Sequence, residues 1–287
     1  MSTQVTTAFV QQFASNVELL SQQRGSRLRR AVSEEAVTGE KAFFDQIGSS
    51  AAQKRTTRHG DTPLMETPHS RRMVTLDEYE WADLIDTADK VKMLADPTSQ
   101  YAQTAAFAIG RSMDDVIITA ATGTAKTGKA GATSTSLPSG NQIAHGSADM
   151  TLAKLLSAKK ILDDADVDPS LKRYMIVGPA QLEALLGVTS VTSADFNSVK
   201  ALVQGEINTF LGFEFIVSTR LAVASSIRTC FAFAEGGIKI GVSKDVTARI
   251  DERSDKSYST QVYYCAQFGA TRMEEDKVVQ ISCDESA

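Results

Sequence analysis

The chain has little of what marks the specialised protein classes. Three cysteines, Cys230, Cys265 and Cys283, in 287 residues are too few and too far apart to frame a secreted disulfide domain. Three histidines, His59, His69 and His145, sit in polar stretches with no partner four residues away and no adjacent cysteine, so a metal site has no support. No stretch approaches the roughly 18 uncharged apolar residues of a membrane span, and no membrane partner is expected. The opening MSTQVTTAFVQQF has neither a basic start nor an unbroken apolar run, so no secretory signal is expected. These absences point to a soluble protein made and folded in a reducing cytosol.

What is present is an ordinary globular composition, 42% hydrophobic and 23% charged, which excludes disorder, collagen and a simple coiled coil. A chain this long buries about 75% of its unfolded surface and needs no covalent or metal staple. A formal charge of -5 argues against a dedicated nucleic-acid-binding protein. The charge is unevenly spread. Residues 1–72 carry ten Lys or Arg against seven Asp or Glu, a net of +3, which leaves -8 for the rest. The basic excess has two centres, Arg24, Arg27, Arg29 and Arg30, then Lys54, Arg55, Arg58, Arg71 and Arg72. Two readings stand for these runs: solvated faces, or surfaces set against a polyanion or an acidic neighbouring subunit.

Along the chain, Phe9, Phe13, Val17 and Leu20 recur at helical spacing and predict a short amphipathic helix over 4–21. Residues 48–72 are polar, with turn chemistry at Gly60-Asp61, Thr62-Pro63 and Thr67-Pro68, and cannot hold themselves in place by burial. From Arg72 the pattern alternates, Met73, Thr75, Asp77, Tyr79 and Trp81 against Val74, Leu76, Glu78 and Glu80, which predicts one strand entering the body. Asp96-Pro97 predicts the cap and first position of a helix that runs to Gly123. Its small-residue stripe, Tyr101, Ala105, Ala108, Ser112, Val116 and Ala120, suits close packing. Residues 123–150 read as a loop. A helix follows from Thr151 with Leu152, Leu155, Leu156, Lys159 and Leu162 on one face, then a buried strand at 174–177 and a helix from Gly178-Pro179 to Leu186. Strands are expected at 212–218, 231–234, 238–242, 247–250, 261–268 and 278–283, so the class is mixed α+β with an antiparallel end.

Recognisable reactive constellations are missing. Gly123-Thr-Ala-Lys-Thr-Gly128-Lys129-Ala130 falls one residue short of a phosphate-binding loop, follows a helix rather than a strand, and reads as a flexible loop. Asp164-Ala-Asp166-Val-Asp168 imitates the start of a calcium loop, but Pro169 stands where a glycine must turn and Met175 where a bidentate Glu is needed. There is no Gly-x-Ser-x-Gly elbow, and the pairs Asp114-Asp115 and Glu274-Glu275 read as solvated. No catalytic residue, cofactor or metal is expected, and the balance leans toward a structural role.

The order of elements carries a resemblance, and so do several stretches. Trp81-Ala-Asp-Leu-Ile-Asp86 with Asp96-Pro-Thr-Ser-Gln-Tyr101 is similar to the segment entering a spine helix. Ala108-Ile-Gly110-Arg111-Ser-Met-Asp114 lies inside that helix and Ala120-Ala-Thr-Gly123 at its end. Gly205 to Ser218 and Gln267-Phe-Gly269-Ala-Thr-Arg272 match as well. The chain resembles the major capsid proteins of tailed bacteriophages, the Hong Kong 97 fold, over roughly residues 35–283.

The resemblance implies an N-terminal arm at 1–47 and an extended loop at 48–80. It implies a peripheral domain at 81–150 with its spine helix over about 97–122, an axial domain at 151–230, and a strand-rich return at 231–287. It further implies self-assembly as pentamers and hexamers into an icosahedral shell in the virion, built in the bacterial host cytoplasm. The partners implied are a separate scaffolding protein, a portal, a decoration protein, and packaged double-stranded DNA held without sequence specificity. Arg24, Arg27, Arg29, Arg30, Lys54, Arg55, Arg58, Arg71 and Arg72 become candidates for assembly or DNA-facing contacts. An encapsulin-type nanocompartment shell is the alternative of the same fold, and an enzyme with a concealed site the alternative of another class.

Overall fold

A computed structural model describes residues 20–58, 60–62, 64–86, 98–187 and 209–286. In chain order the elements are β1 (Ser33–Ala36), β2 (Lys41–Ile47), β3 (His69–Thr75), β4 (Asp77–Ile85), α1 (Thr98–Thr122), β5 (Ala125–Thr127), β6 (Thr133–Thr135), β7 (Gln142–Ile143) and α2 (Leu152–Asp164). They continue with β8 (Arg173–Val177), α3 (Pro179–Gly187), β9 (Thr209–Phe210), β10 (Phe213–Val217), β11 (Val223–Ala224), β12 (Ile227–Ala234), β13 (Ile238–Arg253), β14 (Ser259–Arg272) and β15 (Val278–Asp284). The amphipathic helix expected over 4–21 lies outside the described residues except for Leu20 and Ser21, which are exposed and non-helical. The Asp96-Pro97 cap also lies outside them.

The 25 residues of α1 span about 38 Å at 1.5 Å per residue. Ala105, Ile109, Met113, Ile117 and Ala121, every fourth residue, face the core, with Ile118 beside them. This corrects the expected packing stripe, of which only Ala105 is buried. The bulkier isoleucines and methionine remove more apolar surface from water per position, so they set the inward face. Ser112, Val116 and Ala120 are left half-buried at its flank.

Three sheets surround this helix. The first has the order β1-β13-β14-β4, with β13 and β14 forming one long antiparallel hairpin and β1 parallel to the start of β13. The second runs β7-β15-β12-β8-β10-β9, with β11 on the end of β12. Its centre is parallel at β8–β10 and antiparallel at β12. Phe213, Phe231, Phe233, Met175 and Ile176 are fully buried there and join α1, α2 and the base of the β13–β14 hairpin in one core. Each such side chain contributes on the order of 1.5–3 kcal/mol on burial. The domain boundary expected at 230–231 falls inside β12, which pairs both β8 and β15. The third sheet, β2-β3-β5-β6, stands apart over a small core of Val37, Phe44, Val74, Leu76 and Met273.

Four details differ from the sequence expectations. The alternation at 72–81 is two strands: Arg72, Val74 and Leu76 are buried, but beyond Asp77 it is Tyr79 and Trp81 that turn inward. The parity changes at Leu76 because the chain leaves the third sheet there and enters the first. Residues 123–150 hold three short strands rather than a plain loop, since pairing of β5 with β3 imposes extension on a Thr- and Ala-rich stretch. The phosphate-loop look-alike is the β5–β6 hairpin turn, with Gly128 at φ +90 and its N–H donated to Arg71 O. Helix α2, capped by Thr151, buries Leu155, Ala158 and Leu162 but leaves Leu156 exposed.

Candidate assembly surfaces and the anchored arm

The chain from Gln22 to Val32 crosses the middle of α1, and two residues of the helix make the crossing possible. A Cβ on Gly110 would lie 2.6–2.7 Å from the backbone of Gly25 and Ser26, so only glycine admits this approach. One helical turn on, the fully buried Asp114 accepts hydrogen bonds from Ser26 Oγ, Gln23 Nε2, Arg27 N and Leu28 N, at 2.5–3.1 Å. Arg111 Nη1 donates to Gln22 Oε1 at 3.0 Å. Leu28 and Ala31 then insert into the main core. Asp114, read from sequence as half of a solvated acidic pair, is the anchor of the arm. The retrievable signal was a glycine four residues before an Asp within an otherwise apolar helix face. Its neighbour Asp115 does face outward, where Arg220 grips it with both nitrogens.

Several arm arginines are committed to their own subunit. Arg29 donates to Glu34 Oε1 and Oε2 at 2.6 and 2.8 Å and to both Asp245 oxygens at 3.2 Å. The paired Arg29 guanidinium holds Asp245 below the usual carboxylate range, so this tie from β1 to β13 persists at neutral pH and fails only as acid protonates Asp245. Arg27 donates to Val217 O at 2.7 Å, and Arg30 meets Glu214 at 3.2 Å while remaining mostly exposed. Arg24 is exposed.

The second basic group divides as well. Arg72 is buried, donating to Met273 O at 2.9 Å and pairing with Glu275, so it is a core residue at the root of the third sheet and not a surface contact. Arg71 pairs with Asp45 across β2–β3 and lies over the Phe43 ring. Lys54, Arg55 and Arg58 are exposed in residues 48–68, which leave β2 and return into β3 and whose described residues carry no strand or helix. Arg55 donates to Thr57 O and Arg58 O of its own segment. Gly48 N bonds Pro68 O at 2.8 Å and closes the neck of this excursion. Leu64 is 95% exposed, and Met65 and Ile47 are also turned to solvent.

Arg272, the last residue of the Gln267–Arg272 stretch, is fully buried. Its guanidinium donates to Ala121 O and Gly123 O at the end of α1 and to Thr135 O of β6, satisfying carbonyls that a helix C-terminus leaves open. Gly269, three residues earlier, allows β14 to pass Thr75, whose carbonyl oxygen would lie 2.0 Å from a Cβ there. Between α1 and these strands runs an open groove of about 450 Å³, lined by Ser112, Val116, Ala120, Tyr79, Gly269 and Ala270 and rimmed by Asp77 and Asp115. Tyr79 stacks on Phe268 as its floor, ring centroids 4.4 Å apart. The three cysteines are buried and unbridged, and the Asp164–Asp168 segment is a turn in which Asp168 accepts from Ser170 N.

A long helix flanked by a long-hairpin sheet, an outlying excursion, an anchored arm and a second mixed sheet form the Hong Kong 97-type capsid architecture. The chain is similar to the capsid of cyanophage P-SCSP1u, with TM-score 0.77 and 17% identity over 99% of this chain and 95% of that one. It is similar to the capsid of Ralstonia phage GP4 (0.74, 9% identity, 96% and 95% covered) and to that of Helicobacter pylori bacteriophage KHP30 (0.72, 8%, 99% and 98%). Among the curated proteins, none matches in sequence. The chain belongs to the phage capsid protein family, whose model matches residues 5–285, and is a major capsid protein, a structural component of the virion and not an enzyme.

Proposed function

We propose that copies of this chain associate as pentamers and hexamers into a closed icosahedral shell around double-stranded DNA, assembled in the host cytoplasm. In this reading a scaffolding protein guides assembly, a portal occupies one vertex, and a decoration protein adds to the outside. The first sheet with α1 is the peripheral domain, the second sheet with α2 and α3 the axial domain, and residues 48–68 the extended loop. The observation that carries the reading is the excursion itself: the described residues of 48–68 continue from a closed neck with Leu64 and Met65 outward, and none of them is buried. A segment so poor in self-contacts is stable in one place only when another molecule covers it. Among the basic candidates, Arg24, Arg27 and Arg30, with Lys54, Arg55 and Arg58, stay exposed and are the ones we assign to DNA or an acidic neighbour.

Replacing residues 50–66 by a Gly-Ser bridge tests it. Each doubling of loop length changes closure cost by only ~0.6 kcal/mol, so the variant subunit should keep its circular dichroism spectrum and melting temperature. Shell assembly, followed by light scattering and negative stain, should be lost. Normal shells from the shortened chain would refute the role assigned to the excursion.

A further inference from the structure

We propose that the outer edge of β13 between Thr247 and Arg253 pairs antiparallel with the same edge of a second copy, across a two-fold axis at Ile250. An edge that meets its own copy is isologous and joins subunits two at a time, so it is not the contact around a five- or six-membered ring. The contact rests on the reading that copies build rings, and adds what ties one ring to the next.

The edge is bare. β13 has 16 residues, and β14 accompanies it as far as the pair Arg253–Ser259. On the other side β1 reaches only Val242, so from Ser243 onward no described strand lies against it. Ala248, Arg249, Ile250, Asp251 and Glu252 are exposed. Alternate N–H and C=O groups along such an edge are open to an incoming strand, whose main-chain bonds supply affinity. The apolar face also runs out here. Val262, opposite Ile250 on β14, is fully buried, whereas Ile250 is 50% exposed. A further strand beyond Ile250 continues that face.

Bulges and charges commonly keep a sheet edge from pairing. The first half of this edge is protected in that way. The register shifts twice between Val242 and Thr247, Lys244 Nζ turns back to 3.0 Å from Cys265 Sγ, and Asp245 is held by Arg29. From Thr247 on, the ladder to β14 is regular. Arg249 and Asp251, on either side of Ile250, make no hydrogen bond or ion pair among the described residues.

Charge selects the partner. With the axis at Ile250, that residue faces Ile250 of the other copy, and Arg249 faces Asp251 twice over. Ala248 then faces Glu252, and Thr247 faces Arg253. Opposite charges directly across a ladder attract, and like charges there destabilise it. An axis at Arg249 sets that arginine against itself. An axis at Asp251 opposes two aspartates and sets Arg249 against Arg253. Positions between residues bring opposite faces together and are excluded. Of the three axes, only the one at Ile250 leaves no like charges opposed.

Charge exchange tests the contact. Arg249→Asp alone, or Asp251→Arg alone, opposes like charges twice and should leave a folded subunit, by circular dichroism, that no longer closes shells in negative stain. The double variant Arg249→Asp with Asp251→Arg should close shells again. A mixture of Arg249→Asp copies with Asp251→Arg copies should do so too, because each then faces its complement. Normal shells from both single variants, or no rescue by either the double variant or the mixture, would overturn the contact. Cysteines give an independent reading, since the native ones are buried. In assembled shells exposed to dissolved oxygen, Ile250→Cys should link into dimers and Ala248→Cys should not. Shells of Ile250→Cys that stay monomeric on non-reducing gels would also overturn it. The ring reading fails separately: parent assemblies without five- or six-membered rings would remove it, while the Ile250→Cys linkage still decides the edge.

Discussion

Asp114 shows how much a single side chain holds in this subunit. Four donors from the crossing chain converge on its carboxyl group, two of them backbone N–H groups. Asp114→Ala should therefore cost about 3 kcal/mol or more, because unsatisfied buried donors carry their full desolvation penalty. Differential scanning calorimetry of the unassembled subunit should show a melt several degrees lower, and trypsin should cut rapidly at Arg24 and Arg27. Asp114→Asn keeps one acceptor but turns an amide N–H toward other donors, so it should fall between the two. An unchanged melt with unchanged cleavage would mean the arm is held by Leu28 and Ala31 alone. Arg272 works in a similar manner at the C-terminal end of the helix, as a cap supplied from far along the chain.

At the scale of elements, the sequence was informative where a pattern is local. Helix α1 ends at Thr122 next to the glycine that marks its stop, and the buried strand at 173–177 extends by one residue the apolar run from Tyr174 to Val177. Patterns set by tertiary pairing were not legible. Thr127 becomes strand because β3 offers a partner, Thr133 because β5 then does, and nothing in the Gly- and Ala-rich stretch announces that edge. The parity change at Leu76 depends on two sheets meeting, and the anchor at Asp114 on a crossing chain 86–91 residues away. Of the nine basic candidates, Arg72 could not be told from its exposed neighbour Arg71 by composition, since both lie in one polar run. The β5–β6 turn yields a prediction of its own. Lys129 is exposed on a hairpin and not on a phosphate-binding loop, so Lys129→Ala should shift stability by less than ~0.5 kcal/mol and leave assembly intact. Saturable ATP binding by the parent, abolished in this variant, would contradict the assignment.

For the whole molecule, the charges that stay exposed differ from those that are paired, and the difference predicts a response to salt. Arg29 is locked to Glu34 and Asp245, while Arg24 is exposed, Arg30 stays mostly exposed beside Glu214, and Arg27 holds one carbonyl. Replacing Arg24, Arg27 and Arg30 together by Gln should weaken assembly or DNA retention most at low salt. Exposed charges are screened beyond ~8 Å at physiological ionic strength, so the defect should shrink as salt rises. Equal defects at every salt concentration would show that these side chains act by packing.

The end of the spine helix is sealed by Arg272, and the groove beside it is floored by Gly269 and Ala270, all about 150 residues downstream of the helix itself. At synthesis rates of about 5–20 residues per second, the helix precedes these partners by roughly seven seconds or more. A half-made chain thus carries its longest helix with the last carbonyls still open to water and one flank uncovered. The spine is finished only when synthesis nearly is, so an element made early is among the last to be locked.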